Sequence, residues 1–224
     1  MHEEVDAFVK VLEGEAPEKG ATTDFHRGRI EGHEVVVAKT GVGKVLSALS
    51  AAEMIGRYAP ERIIFTGIAG GVGEGLAIGD LVAGEECLQY DFDVTALGFD
   101  IGAIPFSSYR EIKGDPELLA LMREYRPQGY RLHFGRILTG DTFVTDKQSP
   151  GRFELFKALS GLAVEMEGAS VALAGRVYNT PVLVLRFISD EADGSAPKNF
   201  QQFLEGCSHR SLEVIRYLLR RIEA

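Results

Sequence analysis

The 224-residue chain has no tryptophan, two cysteines, five histidines and no apolar run approaching the ~20 residues that a membrane-spanning helix needs. Cys87 and Cys207 stand alone, far apart and without metal-ligand spacing. That excludes a disulfide framework and a thiolate metal site, and points to a reduced, cytoplasmic setting. His2, His26, His33, His133 and His209 are scattered, and none forms a His-x-x-x-His or Glu-x-x-His pair, so no metal is assigned. Basic residues are outnumbered, 24 Lys and Arg against 33 Asp and Glu, for a formal net charge of −9. A nucleic-acid partner would need a basic excess to displace counterions, and none exists. The opening Met1-His2-Glu3-Glu4-Val5 is acidic and has neither a basic n-region nor an apolar h-region, so it does not read as a secretory signal. Neither nucleic acid nor membrane is an expected partner.

Hydrophobic content of 45% and charged content of 25% suit a soluble globular protein, and the length suits one domain over residues 1–224. Val5, Phe8, Val9 and Leu12 predict an opening amphipathic helix. Phe25 to Ile30 and Glu34 to Ala38 predict a hairpin turning at Glu31-Gly32-His33. Thr40-Gly41-Val42-Gly43-Lys44 opens a helix carrying Val45, Leu49 and Ala52 and ending near Tyr58. Arg62 to Thr66 reads as a buried strand, followed by the glycine-rich stretch from Gly67 to Gly79 and a strand over Asp80 to Ala83. Gln89 to Pro105 mixes acids, aromatics and glycines, as a site-lining or interface loop would. Helices are predicted over Pro116–Tyr125, Ser149–Ala158 with Pro150 in its first turn, and about Phe200–Ile222. Leu132 to Leu138 is strand-like and leads into the loop Thr139-Gly140-Asp141-Thr142-Phe143. Strands alternating with helices and no linker make one α/β domain.

Two segments organise the rest. Leu162-Ala163-Val164 runs into Glu165, Met166 and Glu167, and Val182-Leu183-Val184-Leu185 runs into Arg186, Ser189 and Asp190. Buried strands that deliver carboxylates at their C-terminal ends are how open α/β sheets place sites. Two acidic surface loops are the plain alternative, but Met166 and Phe187 interleave with the charges and imply an apolar-walled cleft. One carboxylate can accept from two vicinal ribose hydroxyls. Another can act as general acid toward a departing base. Arg186 is placed to orient Glu167 in bidentate fashion.

Other motifs fail their tests. Thr40–Lys44 is no Walker loop, since Ala38 stands for the first glycine and Val45 for the required Ser or Thr. Gly67, Gly70, Gly71, Gly73 and Gly75 do not give G-x-G-x-x-G, which disfavours a dinucleotide oxidoreductase. Those glycines would let the backbone approach a small planar or sugar ligand, or simply make a tight turn. Ser170 lacks the G-x-S-x-G elbow, and Asp91-Phe92-Asp93 lacks a calcium-loop pattern.

Val164-Glu165-Met166-Glu167-Gly168, Arg186-Phe187-Ile188-Ser189-Asp190, Thr66-Gly67-Ile68-Ala69-Gly70-Gly71 and Thr40–Lys44, in this order along nearly the whole chain, resemble the purine nucleoside phosphorylase/hydrolase superfamily, and within it the 5′-methylthioadenosine/S-adenosylhomocysteine nucleosidase branch. The resemblance implies a single-domain three-layer α/β/α fold with a central mixed β-sheet. It implies cleavage of the N-glycosidic bond of a 5′-thioadenosine, without a cofactor. In that pattern Glu167 grips the ribose hydroxyls, with Met166 against the sugar and Arg186 supporting, and Glu165 counts among the substrate-binding residues. Asp190 is the general acid at adenine N7, held by Ser189. Phe143 and Val144 sandwich the base, Ile68, Ala69 and Gly70 lie beneath it, and Val42 and Phe200 wall the 5′-alkylthio pocket. Leu97 and Pro105 match positions that cross a homodimer interface into the partner's pocket.

Met1-His2-Glu3-Glu4-Val5 matches the family's Met-x-x-Glu segment, which makes Glu4 the base that activates water. Relatives carry an apolar strand of about eight residues before this Met. A chain beginning after it should leave neighbouring strands with unpaired backbone groups and an apolar gap. Water is the expected nucleophile, because Thr66–Gly73 holds no Arg or Lys for phosphate. Futalosine-type hydrolysis, phosphorolysis and a catalytically impaired nucleoside-binding protein are the alternatives.

Overall fold

The run Val182–Asp190 alternates between two apolar surroundings, and that alternation sets the layering. Leu183, Leu185 and Phe187 pack with Leu118, Met122, Val214 and Leu218. Val182, Val184 and Ile188 pack instead with Ala51, Ile55, Ala169 and Ala172. A strand with helices on both faces must be apolar on both. The computed structural model describes residues 2–14, 16–149, 151–192 and 196–222, with the side chains of residues 2–4, 6 and 196–205 outside that description.

In chain order the elements are α1 (His2–Val11), β1 (Glu13–Gly14), β2 (Glu18–Lys19), β3 (Asp24–Ile30), β4 (His33–Ala38), α2 (Lys44–Tyr58), β5 (Ile63–Gly71), β6 (Leu81–Gln89), a 3-10 turn (Thr95–Leu97), β7 (Ile112–Lys113), α3 (Pro116–Glu124), β8 (Leu132–Thr139), α4 (Arg152–Ala158), β9 (Gly161–Glu165), α5 (Gly168–Tyr178), β10 (Val182–Asp190) and α6 (Ala196–Leu219). The larger sheet runs β10-β5-β9-β8-β6-β7 and is mixed. β10 lies parallel to β5 and also antiparallel to β6, through Leu185↔Ala83 and Phe187↔Leu81. The sheet therefore closes on itself as a ring, which the strand pattern alone does not reveal.

Several boundaries differ from expectation. β5 does not stop at Thr66; it continues to Gly71 because β10 pairs beside it as far as Gly70. β10 likewise carries Arg186 and Asp190 within the strand rather than beyond it. Tertiary pairing here overrides the low strand preference of glycine. On α2, Val45 and Leu49 face outward, and Ser47, Ser50, Ala51 and Ile55 form the buried side. α4 begins at Arg152 after Gly151, later than predicted, and the Pro150 prediction lies outside the described residues.

β3 and β4 form the expected hairpin, and among the described residues β4 pairs only with β3. Ile63 to Ile68 of β5 have β10 on one side; among the described residues nothing pairs on the other side before Gly70 and Gly71 meet β9. Between these two strand edges lies a cavity of about 960 Å³, walled by Val35 and Val37 of β4, Phe65 and Ile68 of β5, and Ile215 of α6. One end of this cavity holds the acidic residues Glu165, Glu167 and Asp190.

Candidate active site

Register brings the acidic residues together. Asp190 lies opposite Gly70 of β5, Gly70 opposite Val164 of β9, and Glu165 opposite Thr139 of β8. The C-terminal ends of four strands thus converge at one end of the cavity. A Cβ added at Gly70 would lie 3.3 Å from Asp190 Oδ1 and 3.0 Å from Ala192 Cβ, so a bare backbone is what admits the carboxylate.

Asp190 is buried. Ser189 Oγ donates to Asp190 Oδ2 at 2.7 Å, and the Ala192 N–H donates to Oδ1 at 2.7 Å. Each oxygen keeps a lone pair beyond the one that Ser189 or Ala192 uses, so the group can meet a ligand without rearranging.

Glu165 is treated differently. Its carboxylate accepts from the N–H groups of Glu167 (3.0 Å) and Gly168 (2.9 and 2.7 Å), from Thr139 Oγ1, and from Arg186 Nε (3.2 Å) and Nη2 (2.7 Å). The Ala169 N–H in turn donates to Thr139 Oγ1 at 2.8 Å. A carboxylate at the positive end of α5, also bridged to a guanidinium, is saturated by internal donors. Glu165 lines the cavity, as the sequence reading expects of a site residue, and these donors fix it at the β9–α5 corner. Arg186, 1% exposed, grips Glu165 rather than the anticipated Glu167, and its guanidinium carbon lies 4.1 Å from the Phe65 ring centroid.

Glu167 caps the start of α5 and reaches the cavity, where Oε1 accepts the Gly43 N–H at 2.8 Å. Met166, Ser189, Ile68, Ala69 and Gly70 also line it. Phe143 (52% exposed), buried Val144 and Val42 (66% exposed) complete the wall. Leu97 and Pro105 do not line their own chain's cavity. The backbones of Glu4 and Phe200 lie in α1 and α6, and the calls on their side chains fall outside the described residues. Val5, next to Glu4, does line the cavity.

Sequence reasoning missed three participants. Lys44 Nζ contacts Asp91 Oδ1 at 2.6 Å, and the Lys44 N–H donates to Asp141 Oδ1 at 2.8 Å. The Asp141 N–H donates to Asp91 Oδ2 at 2.8 Å. The one available signal was that Thr40–Lys44 and Thr139–Phe143 are both polar, glycine-bearing loops beside the site. No group of three or more potential metal ligands occurs among the described residues, and no described helix is long and apolar enough to cross a membrane.

Two carboxylates, Glu167 and Asp190, line one end of an apolar cavity, and with an aromatic ring and a bare strand edge beside them they suit a small polar-and-planar ligand such as a nucleoside. The chain belongs to the phosphorylase superfamily, whose family model matches residues 1–220. It is 35% identical to a Bacillus cytotoxicus protein named 5′-methylthioadenosine/S-adenosylhomocysteine nucleosidase, over 100% of this chain and 96% of that one. The nucleosidase of the same name from S. pneumoniae, solved with a transition-state inhibitor, superposes with a TM-score of 0.90 at 35% identity, covering 100% and 96% of the two chains. A Helicobacter pylori futalosine hydrolase mutant also superposes with a TM-score of 0.90, at 33% identity, covering 99% and 96%.

Proposed function

We propose that this chain hydrolyses the N-glycosidic bond of 5′-methylthioadenosine and S-adenosylhomocysteine, releasing adenine, a step that serves methionine salvage. The observation that carries the reading is the contrast at the sheet ends. Asp190, held by Ser189 and Ala192, and Glu167, held by the Gly43 N–H, line the cavity, whereas the acceptor sites of Glu165 are taken by donors at the corner, Arg186 among them.

Adenine stacks on Phe143 with its N7 at Asp190. As the C1′–N9 bond breaks, its electron pair leaves with the base, and Asp190 gives N7 a proton. Positive charge develops on the ribosyl ring, where the Glu167 carboxylate, accepting from the 2′ and 3′ hydroxyls, stabilises it. Water adds at C1′ and loses a proton to a base, the role the family pattern gives Glu4. Phosphate is not the nucleophile in this reading. The Thr66–Gly73 edge carries no cation, and at the cavity's far end Arg62 is held by Asp115 and Glu117, and Arg57 by Glu53.

Among the exposed apolar residues, Val45 and Leu97 (each 70%) and Phe106 (99%) fit a homodimer interface that brings a partner residue to the 5′ pocket. Cys87 and Cys207 are buried thiols, in agreement with a reduced cytoplasmic location.

The test is adenine release from 5′-methylthioadenosine with and without phosphate. Free 5-methylthioribose at an unchanged rate supports the reading, and a phosphate-dependent rate yielding the sugar 1-phosphate contradicts it. The likeness to the futalosine hydrolase favours one second reading, futalosine-type hydrolysis, which a futalosine arm of the same assay decides.

A further inference from the structure

The N-terminus of α2 is built in a way that helix stability alone does not explain. Its N-cap is Gly43, which offers no side-chain acceptor, and its first residue, Lys44, puts a cation at the positive end of the helix dipole. The cap comes instead from Asp141, 97 residues away, through the Lys44 N–H. Asp91 then bridges both residues, taking Lys44 Nζ on one oxygen and the Asp141 N–H on the other. Three residues from three separate segments close a ring, with Lys44 Nζ also 3.9 Å from Asp141 Oδ2.

What this ring holds is functional on both sides. Gly43, next to Lys44, has φ of +87° and ψ of 164°, a conformation essentially reserved for glycine. It turns its N–H onto Glu167 Oε1 at 2.8 Å. Phe143 lies two residues beyond Asp141, and Val42 two before Lys44. The closed ring therefore fixes the Gly43 donor relative to Glu167 and the aromatic wall relative to the 40–44 loop.

We propose that Lys44, Asp91 and Asp141 are positioning residues that aim the Glu167 carboxylate. By pinning the Gly43 N–H on Oε1, they fix the orientation in which the carboxylate meets a vicinal diol, and they thereby set the preference for a ribosyl over a 2′-deoxyribosyl substrate. The proposal rests on the nucleosidase reading above. A carboxylate whose orientation is fixed distinguishes two hydroxyls from one; a carboxylate free to swing re-forms its contacts around whichever hydroxyl remains.

The experiment measures kcat and KM for 5′-methylthioadenosine and its 2′-deoxy analogue, with the full chain and its Lys44→Met, Lys44→Arg and Asp91→Asn variants. Melting temperature is recorded alongside. The ratio of kcat/KM values, ribo over deoxy, should fall roughly tenfold in Lys44→Met, the scale of one hydrogen bond to a charged group. It should fall similarly in Asp91→Asn, which keeps the shape and reports if Lys44→Met does not fold. Lys44→Arg should restore most of it. An unchanged ratio in an active Lys44→Met or Asp91→Asn variant, with or without a lower melting temperature, reduces the ring to a helix cap and overturns the proposal. A wild-type chain that releases adenine from neither substrate overturns the nucleosidase reading itself, and the positioning role with it.

Discussion

Glu165 and Glu167 stand two residues apart at the same strand–helix corner, yet the fold uses them in opposite ways. Glu165 is enclosed by two backbone N–H groups, a threonine hydroxyl and a guanidinium, all supplied by the protein. Glu167 lines the cavity, with the Gly43 N–H on one oxygen. The difference follows from where each residue stands relative to the start of α5. Glu165 ends β9 beside the first N–H groups of α5 and within reach of Arg186 on β10, whereas Glu167 is the capping residue turned outward. A carboxylate whose acceptor sites are filled from within stabilises a corner. One that faces the cavity can bind or react.

The sharpest way to break that contrast is to neutralise each member. Glu165→Gln leaves the Arg186 guanidinium buried without its counter-charge, and removal of one partner of a buried pair costs about 3–5 kcal/mol. Urea unfolding should show a loss of that size, and melting at an undiminished temperature would contradict the assignment. Glu167→Gln should change stability by less than about 1 kcal/mol but lower kcat/KM by about 10–100-fold, the worth of a charged hydrogen bond to the ribosyl hydroxyls. Exchange of these two outcomes would invert the account. Gly43→Ala should cost about 1–3 kcal/mol, since alanine cannot hold that backbone conformation without strain, and a Cβ there would lie 3.1 Å from Asp141 Oδ1. Relaxation of the backbone would free Glu167, so affinity for the nucleoside should fall as well, which isothermal titration would read.

A smaller effect belongs to a second saturated carboxylate, distant from the site. Burial pushes the Asp80 carboxyl up, but the Arg131 N–H, His133 and the Ala77 N–H outweigh it and hold the group below its ordinary value. A lowered folded-state pKa contributes stability that is present above the usual aspartate range of about 3.9 and is lost as pH falls through the folded value. The stability difference between wild type and Asp80→Asn should therefore be constant near neutrality and narrow below about pH 4. A difference that grows on acidification would contradict the sign.

Much of this was legible from local pattern. The β9–α5 corner, the strand leading to Asp190, the hairpin at Glu31-Gly32 and the α/β class all rest on short-range periodicity and on motifs a few residues long. What was not legible depends on partners far away in sequence. β5 runs through Gly67, Gly70 and Gly71 because β10 lies beside it, more than a hundred residues later. The ring closure needs β10 to meet β6. Lys44 and Asp141 meet across 97 residues, and Asp91 reads locally as one more surface acid. Even within the corner, the sequence offered Glu165, Glu167 and Arg186 as one group. Deciding which carboxylate the arginine takes required the positions of the backbone N–H donors of α5.

The most direct test of the central claim is adenine release by Asp190→Asn compared with wild type under saturating 5′-methylthioadenosine, with ligand binding followed in parallel. An amide in place of the carboxyl keeps the shape and the Ala192 N–H contact but cannot supply a proton to N7. The account predicts that kcat falls by about 10²–10⁴-fold while the nucleoside still binds. Near-wild-type turnover by Asp190→Asn would contradict it, and would move the acid to another residue.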